Sequence, residues 1–154
     1  MIVNFYSLEK DNLVKVVATL LQKILQQNDK AIILTNTKEE AQDLDTYLWA
    51  QSGWIPHCIK GDEHELDAKV IISYDENIDD FAFELFNNIK FIFVLNNAKL
   101  LIPSNVHKVF IIFTPHLEDV LLFNRARWKE YKSLNWELNY YTQEKNGKFT
   151  QMLI

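Results

Sequence analysis

Lys108-Val109-Phe110-Ile111-Ile112-Phe113-Thr114-Pro115-His116-Leu117-Glu118-Asp119 is the stretch on which the fold turns. It opens with an unbroken apolar run, which suits a strand covered on both faces, as the inner strands of parallel sheets are. It then changes character within two residues. Thr114 reads as a helix N-cap, Pro115 as the first helical residue, and Glu118 and Asp119 as first-turn acids that complement the helix dipole. A buried strand that runs straight into a helix is half of a β-α-β unit.

The same alternation extends outward on both sides. Residues 2–8 and 31–34 read as strands, and 70–73 and 90–95 as two more. Between the first two, Leu13, Val16, Val17, Leu20, Leu21, Ile24 and Leu25 recur at helical spacing over 11–27. Thr37-Lys38-Glu39-Glu40 fits a capping box, and the helix behind it is expected to turn Ala41, Leu44, Leu48 and Trp49 inward. Residues 54–59 read as a short extended segment that Pro56 directs to a sheet edge. An acidic loop is expected over 61–69, a short helix over 81–88 and a helical turn over 100–103. After the long helix, 136–142 reads as the last strand, and 143–154 as a loosely ordered tail. The pattern predicts an α/β fold: a three-layer, Rossmann-like, mostly parallel sheet with helices on both faces, in one domain over 1–154.

Composition excludes several classes. With 154 residues, 48% of them hydrophobic and 24% charged, the chain resembles ordinary globular domains. A chain of this size buries about two thirds of its unfolded surface and needs no metal or disulfide staple. The formal charge of −5 and a pI near 5.3 are a poor match for tight, sequence-independent DNA binding, which depends on displacing phosphate counterions. Cys58, the single cysteine, fits a reducing compartment. The N-terminal residues lack the basic-then-apolar order of a signal peptide, and no apolar run is long enough to span a bilayer; a cytoplasmic location is expected.

Catalytic motifs are missing. Gly53, Gly61 and Gly147 are the only glycines, and none follows an expected strand into a helix, so neither a P-loop nor a dinucleotide fingerprint is present. His57, Cys58, Asp62, Glu63 and His64 cluster without metal-ligand spacing, and an edge segment beside a solvated loop explains them better. No metal and no cofactor is expected. The residues that carry information lie on the helix expected over 115–132. At about 100° per residue, Leu117, Val120, Leu121, Phe123, Trp128, Tyr131 and Leu134 span an apolar arc. Arg125, Lys129 and Lys132 border it beside Trp128, while Arg127 falls on the arc and is expected to snorkel or pair with an acid. Two readings remain open here: a core-facing helix with dipole-complementing cations, or a peptide groove with an aromatic wall and a fixed guanidinium.

Arg125-Ala126-Arg127-Trp128-Lys129-Glu130-Tyr131-Lys132 resembles the last-helix motif of the chi subunit family of bacterial DNA polymerase III. Leu44-Asp45-Thr46-Tyr47-Leu48-Trp49, followed by Trp54-Ile55-Pro56-His57, is similar to a second block of that family. The opening Phe5-Tyr6 and the closing Tyr140-Tyr141-Thr142-Gln143 with Gly147 also fit, so the likeness runs along nearly the whole chain in order. It implies a non-catalytic accessory subunit; any polymerase activity belongs to the complex. It further implies an adaptor that binds the acidic, Pro-Phe-ending C-terminal tail of single-stranded-DNA-binding protein and links it to the clamp loader. By that resemblance Arg125 holds carboxylates, Trp128 is the wall, Lys129 gives a peripheral charge, and Thr114 lines the pocket. Leu121 stands where some members carry Lys, so one electrostatic contact is missing unless Lys132 replaces it. A second surface, Trp49, Trp54 and Pro56, is implied to meet the psi subunit or a helicase partner. The competing readings are a nucleotide-dependent enzyme on a Rossmann-like sheet and a direct DNA binder.

Overall fold

A computed structural model describes residues 1–9, 12–27, 29–51, 55–59, 68–74, 89–100 and 106–153. Among the described residues there are eight strands: β1 (Ile2–Ser7), β2 (Ala31–Leu34), β3 (His57–Ile59), β4 (Val70–Ser73), β5 (Phe91–Leu95), β6 (Lys108–Phe113), β7 (Glu137–Gln143) and β8 (Phe149–Met152). The helices among the described residues are α1 (Leu13–Gln26), α2 (Lys38–Trp49) and α3 (Glu118–Ser133). All strands join one sheet in the order β3-β4-β2-β5-β6-β1-β7-β8. Every neighbouring pair is parallel except β7 with β8. The expected Rossmann-like, mostly parallel arrangement is the one observed.

Alternation along the strands divides the core in two. Val3, Phe5, Ile32, Leu34, Ile92, Val94, Val109, Ile111 and Phe113 point to one face, where Val120 and Tyr131 of α3 cover them. Ala31, Ile33, Phe93, Leu95 and Ile112 point to the other, under Val17 and Leu21 of α1 and Ala41, Leu44 and Leu48 of α2. Strands buried on both faces have no polar side to show, which is why 109–113 reads as a continuous apolar run.

Local signals act much as their chemistry demands. Asn12 Oδ1 accepts the Lys15 amide at 3.3 Å and caps α1, while Thr37 Oγ1 accepts the Glu40 amide at 3.1 Å and caps α2. The Glu40 carboxylate reaches back to the Asn36 amide, one residue short of the Thr37 amide that a capping box would use. Burial holds the Glu40 carboxyl above the usual range against that hydrogen bond, helped by Asp43 and Glu39. Pro56 precedes β3, an edge strand as expected, and its carbonyl accepts from Lys69 and Val70 at 2.8 and 3.1 Å.

Four expectations need correction. Thr114 does not cap α3. Its amide donates to Asn96 Oδ1 at 3.0 Å, its carbonyl accepts from Leu117 in a turn, and the helix begins at Glu118 with Leu117 as a cap without a side-chain bond. Trp49 does not point inward: α2 ends there, and the residue is 61% exposed. β7 is not the last strand. Gln143 pairs with Phe149 and Tyr140 with Met152, so the expected tail contributes β8 through a turn at Gly147, where φ is +89°. Leu117 and Leu134, placed on the apolar arc of α3, are both exposed. Most of the acidic loop expected over 61–69, the helix expected over 81–88 and most of the turn expected over 100–103 lie outside the described residues.

Candidate functional site

α3 follows β6 and returns the chain to β7, which lies parallel beside β1. Its rotation on the sheet is set by four buried residues: Val120, Asn124, Arg127 and Tyr131. Their spacing by three and four residues puts them on one stripe. Asn124 anchors the helix to the end of β5. Its amide nitrogen donates to the carbonyl of Asn96 and to that of Val120, each at 3.0 Å. Asn96 adopts a positive φ of 52°, so one left-handed residue fixes both Thr114 and Asn124.

Arg127 is only 5% exposed. Its Nη2 donates to the Ala98 carbonyl, and the guanidinium lies 4.6 Å from the centre of the Phe123 ring. Burial lowers its pKa from the usual arginine value, while Tyr131 and Glu130 oppose that shift. It therefore neither snorkels nor pairs with a described acid, as the periodicity had suggested. A backbone carbonyl and a ring face hold it instead. Together with Phe123, Leu100, Tyr131 and Trp136 it borders a cavity of about 530 Å³.

The opposite border of α3 carries the residues expected to form the site. Leu121, Arg125, Trp128 and Lys132 succeed one another at three- and four-residue intervals, a stripe about 16 Å long at 1.5 Å per residue, and Lys129 lies beside it, four residues from Arg125 and three from Lys132. Trp128 is half-buried. It meets Phe5 at 5.1 Å and 66°, and Tyr140 at 5.8 Å and 80°, both edge-on contacts. Leu121 is half-buried on the same core and stands about two turns from Trp128, toward Thr114. Arg125, Lys129 and Lys132 are exposed, and none is ion-paired among the described residues. Hydrophobic periodicity had pointed to Trp128 but not to Phe5 and Tyr140, which hold its ring, nor to Asn96 and Asn124, which set the stripe's orientation.

The second expected surface is at the other end of the sheet. The Trp49 indole packs on the His57 ring with centroids 4.8 Å apart. His57 is buried; its Nδ1 lies 2.6 Å from the Ile55 carbonyl, an acceptor only, so that nitrogen bears a hydrogen. Its Nε2 stands 3.1 Å from Asp45 Oδ1, close enough for an ion pair though not aligned as a hydrogen bond. Pro56 is half-buried beside them, and Trp54 lies outside the described residues, as do Asp62, Glu63 and His64. Among the described residues no three His, Cys, Asp or Glu side chains gather as a metal site, and Cys58 is buried. No described helix is long and apolar enough to cross a membrane.

The described part of the chain is a Rossmann-like α/β scaffold with a cation-edged aromatic stripe on α3. The family model described as DNA polymerase III chi subunit, HolC, matches residues 1–139, and the chain belongs to that family, an accessory-subunit family of the replicative polymerase. No curated protein matches the chain. The match spans β1 through the first residues of β7 and includes all of α3.

Proposed function

We propose that this chain is a non-catalytic adaptor in the polymerase III holoenzyme. In this reading the α3 stripe grips the acidic C-terminal tail of single-stranded-DNA-binding protein and links it to the clamp loader in the cytoplasm. The observation that carries the proposal is the position of Arg125. It is an exposed guanidinium without an ion pair among the described residues, one turn from an aromatic wall clamped by Phe5 and Tyr140. Arg presents a planar donor fork matched to a carboxylate, and Trp128 offers a flat apolar contact to a terminal Phe. Lys129 and Lys132 add charge along the peptide's path, while Thr114 and Leu121 close the end nearest β6. Leu121 favours an apolar peptide residue at a position where a lysine would favour an acid.

The Trp49 surface fits a second partner, the psi subunit or a helicase. A large exposed aromatic supported from behind by His57 loses little freedom on docking, and tryptophans of this kind dominate interface energetics. Pro56 lies at the same edge, and Trp54 belongs to this surface by family resemblance.

Titration with a fluorescent peptide ending in Asp-Ile-Pro-Phe with a free carboxylate tests the adaptor reading. Binding in the micromolar range that weakens with added salt is expected, since charge-assisted contacts at a surface are screened over about 8 Å at physiological ionic strength. Arg125→Ala and Trp128→Ala should each cost about 1–3 kcal/mol of affinity. Absence of binding at low salt, or indifference to both substitutions, rules the reading out.

A further inference from the structure

On the side of the sheet away from α3, α1 and the β7–β8 hairpin enclose a groove of about 700 Å³. Pockets of roughly 300–1,000 Å³ are large enough to enclose most of a compact ligand. Val16, Leu20 and Phe149 form its apolar floor, and Lys15, Lys23 and Lys148 stand around it. Among the described residues that line it, none is acidic. None of these lysines is ion-paired among the described residues, all are exposed, and the chain as a whole holds 21 acids against 16 bases. Along α1, Lys15 and Lys23 are separated by about 12 Å at 1.5 Å rise per residue. Lys148 faces them from the hairpin, which lies beyond the family match except for its first three residues, 137–139. Three lysines with no ion pair among the described residues, set over an apolar floor, complement a ligand with several negative charges around an apolar group.

We propose that this groove is a second docking site, for an acidic peptide segment with an apolar anchor side chain. A peptide suits it better than single-stranded nucleic acid on two grounds. Nucleic-acid grooves gain affinity by stacking bases on free aromatic faces. Here the one aromatic among the described floor residues, Phe149, is engaged in a T-shaped contact with Tyr6 at 5.2 Å and 88°, and Val16 and Leu20 beside it are aliphatic. The net charge of −5 also repels a long polyanion, whereas a short segment feels chiefly the charges within a Debye length of about 8 Å. The site is separate from the α3 stripe, which lies on the other face of the sheet.

The probe is an acetylated, amidated, dye-labelled peptide Asp-Glu-Asp-Leu-Glu-Asp, whose blocked end denies α3 a terminal carboxylate. Its amide counterpart Asn-Gln-Asn-Leu-Gln-Asn and a labelled twelve-residue oligothymidylate are titrated beside it. The acidic peptide should bind the full chain at low salt and the amide peptide should not. Binding should weaken at least tenfold in the combined variant Lys15→Glu, Lys23→Glu, Lys148→Glu and persist in Arg125→Ala. If the charge-reversed variant misfolds by circular dichroism, the triple Lys→Gln variant replaces it with the same expectation. Equal binding of both peptides, no effect of the lysine changes, loss of binding in Arg125→Ala, or binding of the oligothymidylate in place of the peptide would each overturn the proposal.

Discussion

Trp128 stands edge-on to Phe5, with ring centroids 5.1 Å apart, so the residue expected to face a bound peptide also fastens α3 to β1. Removing its ring therefore acts twice. Arg125, exposed and without an ion pair among the described residues, acts once. Trp128→Ala should lower stability by about 2 kcal/mol, below the 3–5 kcal/mol typical of fully buried aromatics because the ring is only half covered. Arg125→Ala should leave the unfolding free energy within about 0.5 kcal/mol of the parent, as surface substitutions do. Urea titrations of both variants check the difference.

Arg127→Ala strips the Ala98 carbonyl of its donor and the Phe123 ring of its cation. A buried acceptor left unpaired costs about 1–3 kcal/mol, and the lost packing of the long side chain adds to it. Arg127→Lys should recover only part of this, since one ammonium cannot reproduce the planar fork. Thermal unfolding of the two variants reads out the order, with Arg127→Ala the lower.

Asn135 follows the C-terminus of α3 at φ +58°, its amide donating to the Lys132 carbonyl at 3.1 Å. Glycine reaches that conformation without steric cost, so Asn135→Gly should be neutral or stabilise by up to about 1 kcal/mol. Asn135→Val should destabilise by about 1–2 kcal/mol, the penalty of a left-handed β-branched residue. A melting series of the three chains tests the sign.

Glu40 has its pKa raised in the folded protein, with burial as the main cause. The native state thus holds this proton more tightly than the unfolded chain does. Its contribution to stability is fully present below the ordinary value of 4.5 and is lost as pH rises through the folded value. Glu40→Gln keeps an acceptor for the Asn36 amide and removes the titration, so stability plotted against pH just above 4.5 should fall less steeply than in the parent. Urea midpoints across that window measure the slope, and an identical slope would refute the assignment.

Trp49 supports no core, so Trp49→Ala should leave the melting temperature nearly unchanged while removing an emission signal from a solvent-exposed indole. Any loss of association with a holoenzyme partner in this variant then reports contact rather than unfolding. Gel filtration of mixtures with the candidate partner, set against the melting curve, separates the two.

Much of the architecture is legible along the chain. The run 109–113, the alternation around Phe5 and the spacing of Val17, Leu21 and Ile24 depend on local periodicity, which survives translation into structure. The failures occurred where a distant residue took over a local group. Thr114 would cap α3, but its amide is held by Asn96 of a distant loop and its carbonyl closes a turn with Leu117, so the helix starts only at Glu118. The segment after Gln143 looked like a tail because Phe149–Met152 is short and polar, and only its pairing with β7 makes it a strand.

By itself, then, the sequence determined a parallel α/β sheet, a cation-edged aromatic helix and membership legible from ordered motifs, because strand burial and helix spacing are periodic in one dimension. The tertiary structure decided which side of each helix meets the sheet. It turned Arg127 inward onto Ala98, left Arg125 outside beside Trp128, swung Trp49 to the surface over His57, and folded Lys148 across from Lys15. Spacing orders residues around a helix, but its rotation is fixed by contacts far apart in the chain, such as Asn124 with Asn96 and Trp128 with Phe5.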